Sequence, residues 1–569
     1  MIPSRIIDGR KVFAWAFALL CVALLSMRSH AGETSEREKI EAAIPSKAPA
    51  KPHKPRKLLI FDLNVDYGGH PSAKIANQAF TLMGKKTGAF ETTISKDPTV
   101  FKPESLRTFD AVFLNNTVGN LFTDPALRQS LLEFVYAGGG LMGVHGTSVA
   151  FTHWKQGAKE DWPEFAIMLG TRGAAHRESD EQVFIKLDDP GHPVNSCFNG
   201  KGFEYRDEFF RPQGTYSRNR NRVLIGIDTD KTDLSGHPRK STYRKDNDYA
   251  MAWVRAYGRG RIFYTTFGHN KYVFWDPKML EFYLAGAQFV LGDLPAPTIP
   301  SGKLTPAIRA QEKLGWRFGI EAYTFHKYTF FETIEKTAQL GLAYINGLSF
   351  QKVSKDIPKK FAPGLTDAEL KQIRLKLDAT GVRLLTYYIQ NIPADPKRCR
   401  AIFEFGRKIG IETFLSEPKL EALPEIEKFC NEYGINVAIH NHGKKGSPEY
   451  WNPEGVLNAC KGRGKRIGAC PDIGYWLRAG VDPIKGLNVL KDRVLAIQMH
   501  DLHEVSAKGH DVAWGTGAGR MEEVVHEIHR LKLKPTMIGL EFSHNWFKSM
   551  PDIVKSIEFF NEMSLQLVK

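Results

Sequence analysis

Eight short apolar segments recur along the second half of this 569-residue chain, and segments with helical spacing of apolar residues lie between them. Such alternation predicts parallel strands joined by helices, because a parallel neighbour is reached only through a crossover connection. The predicted strands are Phe318–Thr324, Ala343–Phe350, Arg383–Ile389, Glu412–Glu417, Asn436–Asn441, Arg466–Asp472, Leu495–His500 and Met537–Glu541. The clearest predicted helices are Phe331–Leu340, Asp367–Ala379, Pro396–Ile409 and Leu423–Tyr433. Eight units fit a closed (β/α)₈ barrel, so we expect one over residues 314–569.

Residues 58–296 show a second α/β pattern, and 569 residues are too many for one ordinary domain. Apolar runs predict strands here, spaced apolar residues predict helices, and glycine-rich turns end both. The predicted elements are the strands Leu58–Asp62, Ala111–Asn115 and Leu141–His145, the helices Pro125–Ala137 and Pro277–Leu291, and a hairpin within 250–266. We expect a mostly parallel sheet, followed by a proline-rich linker over 297–313.

The first 57 residues differ from the rest of the chain. Basic residues precede an apolar run, Val12–Met27, and small residues around Ala31 offer a cleavage site. This pattern predicts a secretory signal peptide over residues 1–31 and a periplasmic or secreted protein, with an uncleaved anchor as the alternative. Residues 32–57 are rich in Lys, Pro and Ala, which predicts a flexible spacer. We expect no stable membrane span after cleavage.

Charge and cysteine content argue against two classes of protein. The net charge is +15, but much of the excess lies in the signal and spacer, and no stripe of arginine and aromatic residues accompanies the rest. We therefore expect no nucleic-acid partner. Five cysteines lie outside the signal peptide, an odd and sparse set that predicts no disulfide framework.

Polar side chains stand at the ends of five consecutive predicted barrel strands. They are Glu417, His440, His442, Asp472, His500 and Glu541. The carboxyl ends of barrel strands meet at one rim, where barrel enzymes place their active sites. Carboxylates with imidazoles suit one divalent ion, Mn²⁺, Mg²⁺, Co²⁺ or Zn²⁺, and a carboxylate beside it can move a proton next to a sugar carbonyl. The alternative for each residue taken singly is a satisfied polar group of the core.

Two motifs follow the sixth and seventh predicted strands. They read Asp472-Ile-Gly-Tyr-Trp-Leu-Arg-Ala-Gly-Val-Asp-Pro483, and His500-Asp-Leu502 followed by Val512-Ala-Trp-Gly-Thr-Gly517. They resemble the Asp-x-Gly-His-Trp-x-Arg-x-Gly-x-Asp-Pro and His-Asp-Leu…Val-Pro-x-Gly-x-Gly elements of the sugar phosphate isomerase/epimerase family, whose members are xylose-isomerase-like TIM barrels. The resemblance covers the whole barrel and implies a metal held by Asp472, His500 and Glu541.

The same resemblance implies roles for other residues at this rim. Glu417 is taken as the fourth metal ligand in preference to His440, and Glu417 with Glu541 as the acid/base pair. Tyr475 stands where the family has a histidine that contacts substrate. The implied substrate contacts are His440, His442, Tyr475, Trp476, Arg478 and His503. Ordinary loop packing is the alternative for Trp476 and Arg478.

A glycine-rich segment, Gly139–Gly146, contains the predicted strand Leu141–His145, which ends in a tight turn. A strand-to-helix turn of this kind exposes its central residue, which is His145 here. Without Cys or Ser at this position, a Cys–His amidotransferase mechanism is excluded. With Gly69-His70, Gly191-His-Pro193, Asp207-Glu208 and Gly268-His269, the turn resembles the ThuA-like (trehalose utilisation) family over residues 57–296. The resemblance implies a flavodoxin-like, amidotransferase-type sheet and a link to sugar catabolism.

Six side chains of the first domain form a candidate pocket. They are His70, His145, His176, His192, Glu208 and His269. Histidines at the starts and ends of strands can bind a metal ion or a sugar, and exposed turn residues are the alternative.

Four functions are compatible with these patterns. The first is a metal-dependent sugar or keto-sugar isomerase/epimerase that acts on a small-molecule sugar outside the cytoplasm. The second is a lyase or hydrolase of 3-keto glycosides, and the third is a non-catalytic carbohydrate-binding protein. The fourth, an apurinic endonuclease, shares the barrel but needs three metal ions and more ligands than these. The sequence is compatible with a monomer or an oligomer.

Overall fold

The computed structural model describes residues 36–154, 158–236 and 240–569. They form two α/β domains, a sheet domain and a barrel, joined by a short linker. The predicted signal peptide, residues 1–31, lies outside the described residues. In the described part of the chain, no helix has the length and apolar character needed to cross a membrane, and the five cysteines are all free.

The sheet domain is an α/β unit built on a nine-stranded sheet of described residues. Its strands are β1 (Lys57–Phe61), β2 (Glu91–Ser95), β3 (Ala111–Asn115), β4 (Gly140–Val144), β5 (Arg172–Ala175), β6 (Glu181–Leu187), β7 (Phe203–Asp207), β8 (Arg211–Gln213), β9 (Arg222–Ile227), β10 (Ala250–Tyr257) and β11 (Gly260–Thr265). Its helices are α1 (36–43), α2 (Ser72–Thr87), α3 (Pro103–Leu106), α4 (Pro125–Tyr136), α5 (Pro163–Leu169) and α6 (Pro277–Leu291).

The order of the large sheet is β2-β1-β3-β4-β11-β10-β9-β6-β7, and β5 pairs separately with β8. The first five strands of this order run parallel, which confirms the predicted parallel α/β sheet. The other four extend it in antiparallel fashion, an extension of which only the β10–β11 hairpin was predicted. Strands β3 and β4 are buried along their whole length because helices cover both faces of the sheet.

The expected flexible spacer is packed against the sheet domain where the structure describes it. Ile40 and Ile44 are buried in the same apolar cluster as α2 and α6. Gln288 of α6 bonds both the backbone N–H and the backbone carbonyl of Ala50, at 2.9 and 2.6 Å. Arg56 donates to the buried Asp293 at 2.7 Å. The prediction of flexibility from composition was therefore wrong for residues 36–56, because two isoleucines and these hydrogen bonds fix the segment.

The second domain is a barrel of eight parallel strands. Its strands are β12 (Phe318–Ile320), β13 (Tyr344–Leu348), β14 (Arg383–Tyr388), β15 (Thr413–Ser416), β16 (Asn436–His440), β17 (Ile467–Cys470), β18 (Ile497–Met499) and β21 (Ile538–Leu540), with β19 (Asp501–Leu502) and β20 (Asp511–Val512) as a side ribbon. Its helices, with the linker helix first, are α7 (Pro306–Leu314), α8 (Phe330–Gln339), α9 (Asp367–Thr380), α10 (Pro396–Ile409), α11 (Leu423–Tyr433), α12 (Pro453–Ala459), α13 (Ile473–Arg478), α14 (Pro483–Leu490), α15 (Met521–Arg530) and α16 (Met550–Leu567).

All eight predicted barrel strands are confirmed. Seven pairs of neighbours form parallel ladders, and single bridges, Ala469 with Val494 and Asp472 with Gln498, connect β17 to β18 and close the ring. The observed strands end earlier than predicted, so the polar residues expected inside strand ends mostly lie just beyond them. This position aims their side chains at the carboxyl-end rim.

The two domains contact each other through the end of the sheet and the end of the barrel that lie opposite the carboxyl ends of their parallel strands. The carbonyl of Gly258, in the β10–β11 turn, accepts a hydrogen bond of 2.8 Å from Nε of Arg383, the first residue of β14. Arg259 donates to the carbonyls of Tyr433 and Gly434, just before β16, at 3.2 and 3.1 Å. In the sheet, this turn lies beside the start of β4, since Arg261 pairs with Gly140. The carboxyl ends of the parallel strands therefore point away from the interface in both domains.

Candidate functional site

Asp472, His500 and Glu541 gather at the carboxyl-end rim of the barrel. They follow β17, β18 and β21, and their ligand atoms all lie within 4.8 Å of one another. Nε2 of His500 is 3.6 Å from Oδ2 of Asp472 and 3.9 Å from Oε1 of Glu541. These separations exceed hydrogen-bond length, and Nε2 is buried without a hydrogen-bond partner. An unpartnered buried nitrogen between two carboxylates fits a divalent cation.

The other ring nitrogen of His500 is held by Asp511. Nδ1 donates to Oδ1 of Asp511 at 2.9 Å, and Arg478 donates to the same oxygen at 3.3 Å. The backbone N–H of Ser543 donates to Oδ2 of Asp511 at 2.5 Å. Burial opposes the charge of Asp511, but His500 and Arg478 hold its pKa at about 2. This carboxylate fixes the imidazole so that Nε2 faces Asp472 and Glu541.

Glu417, predicted as the fourth metal ligand, belongs to a second group with His440 and His442. Its Oε1 accepts from Nδ1 of His440 at 3.2 Å and from Nδ1 of His442 at 2.5 Å. His440 joins the two groups, since its Nε2 lies 3.4 Å from Oδ2 of Asp472. Burial alone would lower the pKa of His440, but Asp472 and Glu417 raise it to about 10. The structure therefore brings three of the four predicted ligands, Asp472, His500 and Glu541, together. The fourth, Glu417, forms hydrogen bonds with His440 and His442.

Glu321 is a buried carboxyl group of this rim that the sequence analysis missed. It follows β12, and its Oε2 accepts from Nε2 of Gln498 at 2.9 Å. Burial, reinforced by the charge of Glu541, raises the pKa of Glu321 to about 8. Burial likewise raises the pKa of Glu541 to about 7. The signal was available, because a carboxylate inside the first predicted strand, Phe318–Thr324, is unusual in an otherwise uncharged segment.

Two tyrosines line the space next to these groups. The hydroxyl of Tyr388 donates to Oε1 of Glu417 at 3.3 Å, and the charges of Glu417 and Glu541, after burial, raise its pKa. The ring of Tyr475 lies 4.7 Å from that of His442. Tyr475 therefore lies beside His442 at the rim, and its contact with substrate stays a prediction.

Three other residues that were predicted to contact substrate make contacts within the protein. Trp476 is fully buried and packs on Gly486 in the barrel core, so that prediction was wrong. Arg478 donates hydrogen bonds to Asp511 and, at 3.0 Å, to the carbonyl of Gly509. It therefore helps to position Asp511, which in turn holds the imidazole of His500. His503 lies just beyond β19, and its ring stacks on that of His510 with the centroids 3.8 Å apart.

The sheet domain carries a second cluster, composed of His70, His145, Glu208 and His269. Nε2 of His145 is 3.4 Å from Oε1 of Glu208 and 3.3 Å from Nδ1 of His269. Nδ1 of His269 is 3.5 Å from the same Glu208 oxygen. His176, also predicted here, lies with its Nδ1 3.1 Å from the other oxygen, Oε2.

His145 is buried, whereas the sequence predicted an exposed turn residue. It follows β4 with a left-handed φ of 41°, its ring packs on Phe210, and its Nδ1 bonds the carbonyl of Thr266 at 2.9 Å. Burial lowers the pKa of His145 well below its usual value and that of His70 to about 3. Burial therefore favours the neutral form of both imidazoles. Asp207 fixes the loop of His269 by accepting the backbone N–H groups of residues 268–270.

The cluster lies at the base of a pocket of about 750 Å³. The rings of Tyr67, Trp154 and Phe210 and the side chain of Arg172 line it. His192 was predicted to join this pocket, but it is buried elsewhere, with Nε2 bonded to the carbonyl of Pro297 at 3.0 Å and Nδ1 accepting from Val194 N–H. It secures the start of the linker instead.

Similarity to known proteins agrees with this two-domain structure. Residues 57–290 match the family model "Trehalose utilisation" (ThuA), and residues 419–563 match "Xylose isomerase-like TIM barrel". No curated protein sequence matches the chain.

Among solved structures, an uncharacterised protein of Parabacteroides distasonis is 30% identical, with 44% of this chain and 99% of that one covered and a TM-score of 0.37. A ThuA-like protein of Bacteroides uniformis is 20% identical, with 42% and 94% covered and a TM-score of 0.34. A D-tagatose 3-epimerase-like protein is 16% identical, with 43% and 98% covered and a TM-score of 0.35. The family matches, with the sheet and the eight-stranded barrel, establish that this chain joins a ThuA domain to a xylose isomerase-like TIM barrel.

Proposed function

We propose that the barrel is a metal-dependent sugar or keto-sugar isomerase/epimerase that works by proton transfer. One observation carries the proposal: Asp472, His500 and Glu541 converge at the carboxyl-end rim, with the buried Nε2 of His500 lacking a hydrogen-bond partner. Barrel enzymes place catalytic groups from several strands at this rim. Three ligands of this kind also leave a position open, as catalytic metal sites require.

Asp472, His500 and Glu541 would hold the ion. A bound divalent ion would polarise the carbonyl and hydroxyl oxygens of a sugar. His440 lies between Glu417 and Asp472 and orients both carboxylates through its two nitrogens. Asp511 does the same for His500.

Epimerisation at a carbon needs one group to remove a proton and a second to return it from the other face. Glu541 is the first candidate, since it is a buried carboxylate that lies beside Asp472 and His500. His442 is the second, since Glu417 binds its Nδ1 and leaves Nε2 for the substrate. In this arrangement Glu417 acts through His442, as the carboxylate of a His–carboxylate pair, and Tyr388 supports it at 3.3 Å.

The test is proton exchange in heavy water with a panel of aldoses, ketoses and 3-keto sugars. Chelation should stop exchange, and adding back a divalent ion should restore it. Asp472→Asn should lose the ion of the barrel together with exchange. Asp482→Asn, ten residues further on, is the matched control, because Asp482 caps α14 at the surface and should retain both. Exchange that survives chelation and Asp472→Asn would refute the proposal.

A second candidate is a lyase or hydrolase of 3-keto glycosides, which begins with the same proton removal. The match of residues 57–290 to the trehalose utilisation family favours glycosides as substrates. Cleavage products from a 3-keto glycoside, with no exchange on free aldoses or ketoses, would select this candidate.

We also propose that the protein is exported. The support is the basic and apolar pattern of residues 1–31, with small residues around Ala31. N-terminal sequencing of protein from fractionated cells should find a chain that begins at residue 32 outside the cytoplasm. A chain that keeps Met1 and remains in the cytoplasm would refute it.

A further inference from the structure

Three ligand atoms of the sheet-domain cluster are spaced almost equally. The distances among Nε2 of His145, Nδ1 of His269 and Oε1 of Glu208 are 3.3, 3.4 and 3.5 Å. Hydrogen bonds from nitrogen to oxygen are shorter, roughly 2.7–3.2 Å. Ligand atoms on a tetrahedral ion with bonds of roughly 2.0–2.1 Å lie about 3.3–3.4 Å apart. The spacing is therefore that of ligands around one ion.

The surrounding contacts direct lone pairs into this space. Thr266 takes the Nδ1 proton of His145, which leaves its Nε2 as an acceptor with no proton to share with Glu208. His176 lies at the other oxygen of Glu208 and leaves Oε1 for the cluster. Such carbonyl and imidazole partners behind the ligands are typical of metal sites.

His70 supplies a third imidazole, which is the fourth ligand of the cluster. Its ring lies 4.8 Å from that of His145 and 5.3 Å from that of His269, nearly perpendicular to both. The side chain is more than nine-tenths buried, and its Nδ1 has no hydrogen-bond partner. Three imidazoles and one carboxylate are a ligand set for a divalent transition metal, and Zn²⁺ or Co²⁺ suits the tetrahedral spacing.

We propose that the ThuA domain binds its own divalent transition metal ion through His70, His145, Glu208 and His269. The ion would lie at the base of the 750 Å³ pocket, where it could coordinate an oxygen atom of a bound molecule. This site is separate from the barrel site, and neither depends on the other.

The pocket indicates a neutral, sugar-sized ligand rich in hydroxyl groups. Its volume falls within the range of small-molecule sites, roughly 300–1,000 Å³. Among its described lining residues, Arg172 is the only guanidinium or ammonium group, and Asp161 neutralises it through two bonds of 2.8 Å. Apart from the proposed ion, a phosphate would find no unpaired cation among these residues. The rings of Tyr67 and Trp154, 6.2 Å apart, offer faces for a sugar ring.

The test uses Co²⁺, whose visible absorption reports its ligands. Full-length apoprotein carrying Asp472→Asn, which removes the barrel contribution, is titrated and its bound metal is counted after desalting. We expect one Co²⁺ per chain with the absorption of a tetrahedral ion. Adding Glu208→Gln or His269→Ala should weaken binding at least roughly 10–100-fold. His269 is partly exposed, so its removal should leave the fold unchanged even if Glu208→Gln disturbs it.

His53→Ala is the control, since His53 is an exposed imidazole of the same domain and its loss should change nothing. If the Asp472→Asn protein binds no Co²⁺, or if Glu208→Gln and His269→Ala bind it unchanged, the site is refuted. If Asp472→Asn itself removes no ion while Glu208→Gln does, the barrel proposal fails and this one stands.

The ligand class has its own test in the same Asp472→Asn protein loaded with Co²⁺. Neutral mono- and disaccharides should change the Co²⁺ absorption, and glucose 6-phosphate should not change it more than glucose does. A response to the phosphate alone, or to no member of the panel, would overturn the neutral-sugar part of the proposal.

Discussion

Asp511 binds Nδ1 of His500 at 2.9 Å, and this bond leaves Nε2 of the same ring directed at Asp472 and Glu541. Asp511→Asn should therefore lower the metal affinity of the barrel about 10–100-fold, because an amide no longer fixes the imidazole as the carboxylate does. Metal titration of the purified variant measures this. Unchanged affinity would show that Asp511 has no positioning role.

Gly474 of α13 lies against the same imidazole. A Cβ at this position would be 2.6 Å from Cγ of His500 and 2.8 Å from its Cβ. Gly474→Ala should push His500 out of place and lower metal affinity and activity together, although alanine favours the helix by up to about 1 kcal/mol.

Gly443→Ala is the matched control for Gly474→Ala. Its Cβ would meet Tyr475 at 3.8 Å, an ordinary contact at the same rim. Full metal affinity and activity in both variants would contradict the predicted displacement of His500.

Glu412, at the start of β15, accepts from Arg317 at 2.9 Å and from Arg383 at 2.5 Å. Burial alone would raise its pKa, but the two arginines lower it from 4.5 to about 2. The ionised form therefore stabilises the fold at neutral pH, and this stabilisation is lost as the pH falls from about 4.5 to about 2.

Glu412→Gln should consequently reduce the free energy of unfolding by about 2 kcal/mol at pH 7, a value discounted because the side chain is 24% exposed. The difference from the parent protein should shrink as the pH falls toward 2. Denaturant unfolding at several pH values measures it, and a constant difference across that range would contradict the assignment.

Asp378 of α9 pairs with Arg255 of β10 across the domain interface, and both side chains are buried. Asp378→Ala leaves the guanidinium without its partner, which should cost the interface about 3–5 kcal/mol. We expect calorimetry to show the domains unfolding in separate steps. Asp378→Leu combined with Arg255→Met should recover most of the loss, whereas an equal loss in both variants would show that charge pairing is not the cause.

The barrel strands could be predicted because each is an apolar run that must be buried on both faces. Asp472, His500 and Glu541 could be predicted as neighbours for the same reason, since parallel strands bring their carboxyl ends together. The burial of Trp476 could not be predicted, because it depends on contact with Gly486 of α14, which no local sequence pattern encodes.

Other outcomes depended equally on tertiary contacts. Composition predicted a flexible segment where Ile40 and Ile44 find apolar surface on the sheet domain. His192 was grouped with the other histidines by residue type, although Pro297 of the linker binds it. The strand Glu181–Leu187 alternates buried and exposed residues over most of its length, a signal that could have predicted the antiparallel extension.

The back-to-back junction at Gly258 and Arg383 has a consequence for any substrate that both domains process. The carboxyl-end faces of the two domains lie on opposite sides of the protein. A compound released at one face therefore enters the surrounding medium before it reaches the other. Covalent linkage then keeps the two domains at equal abundance in one compartment. A scavenger enzyme added to the medium should intercept such a compound completely.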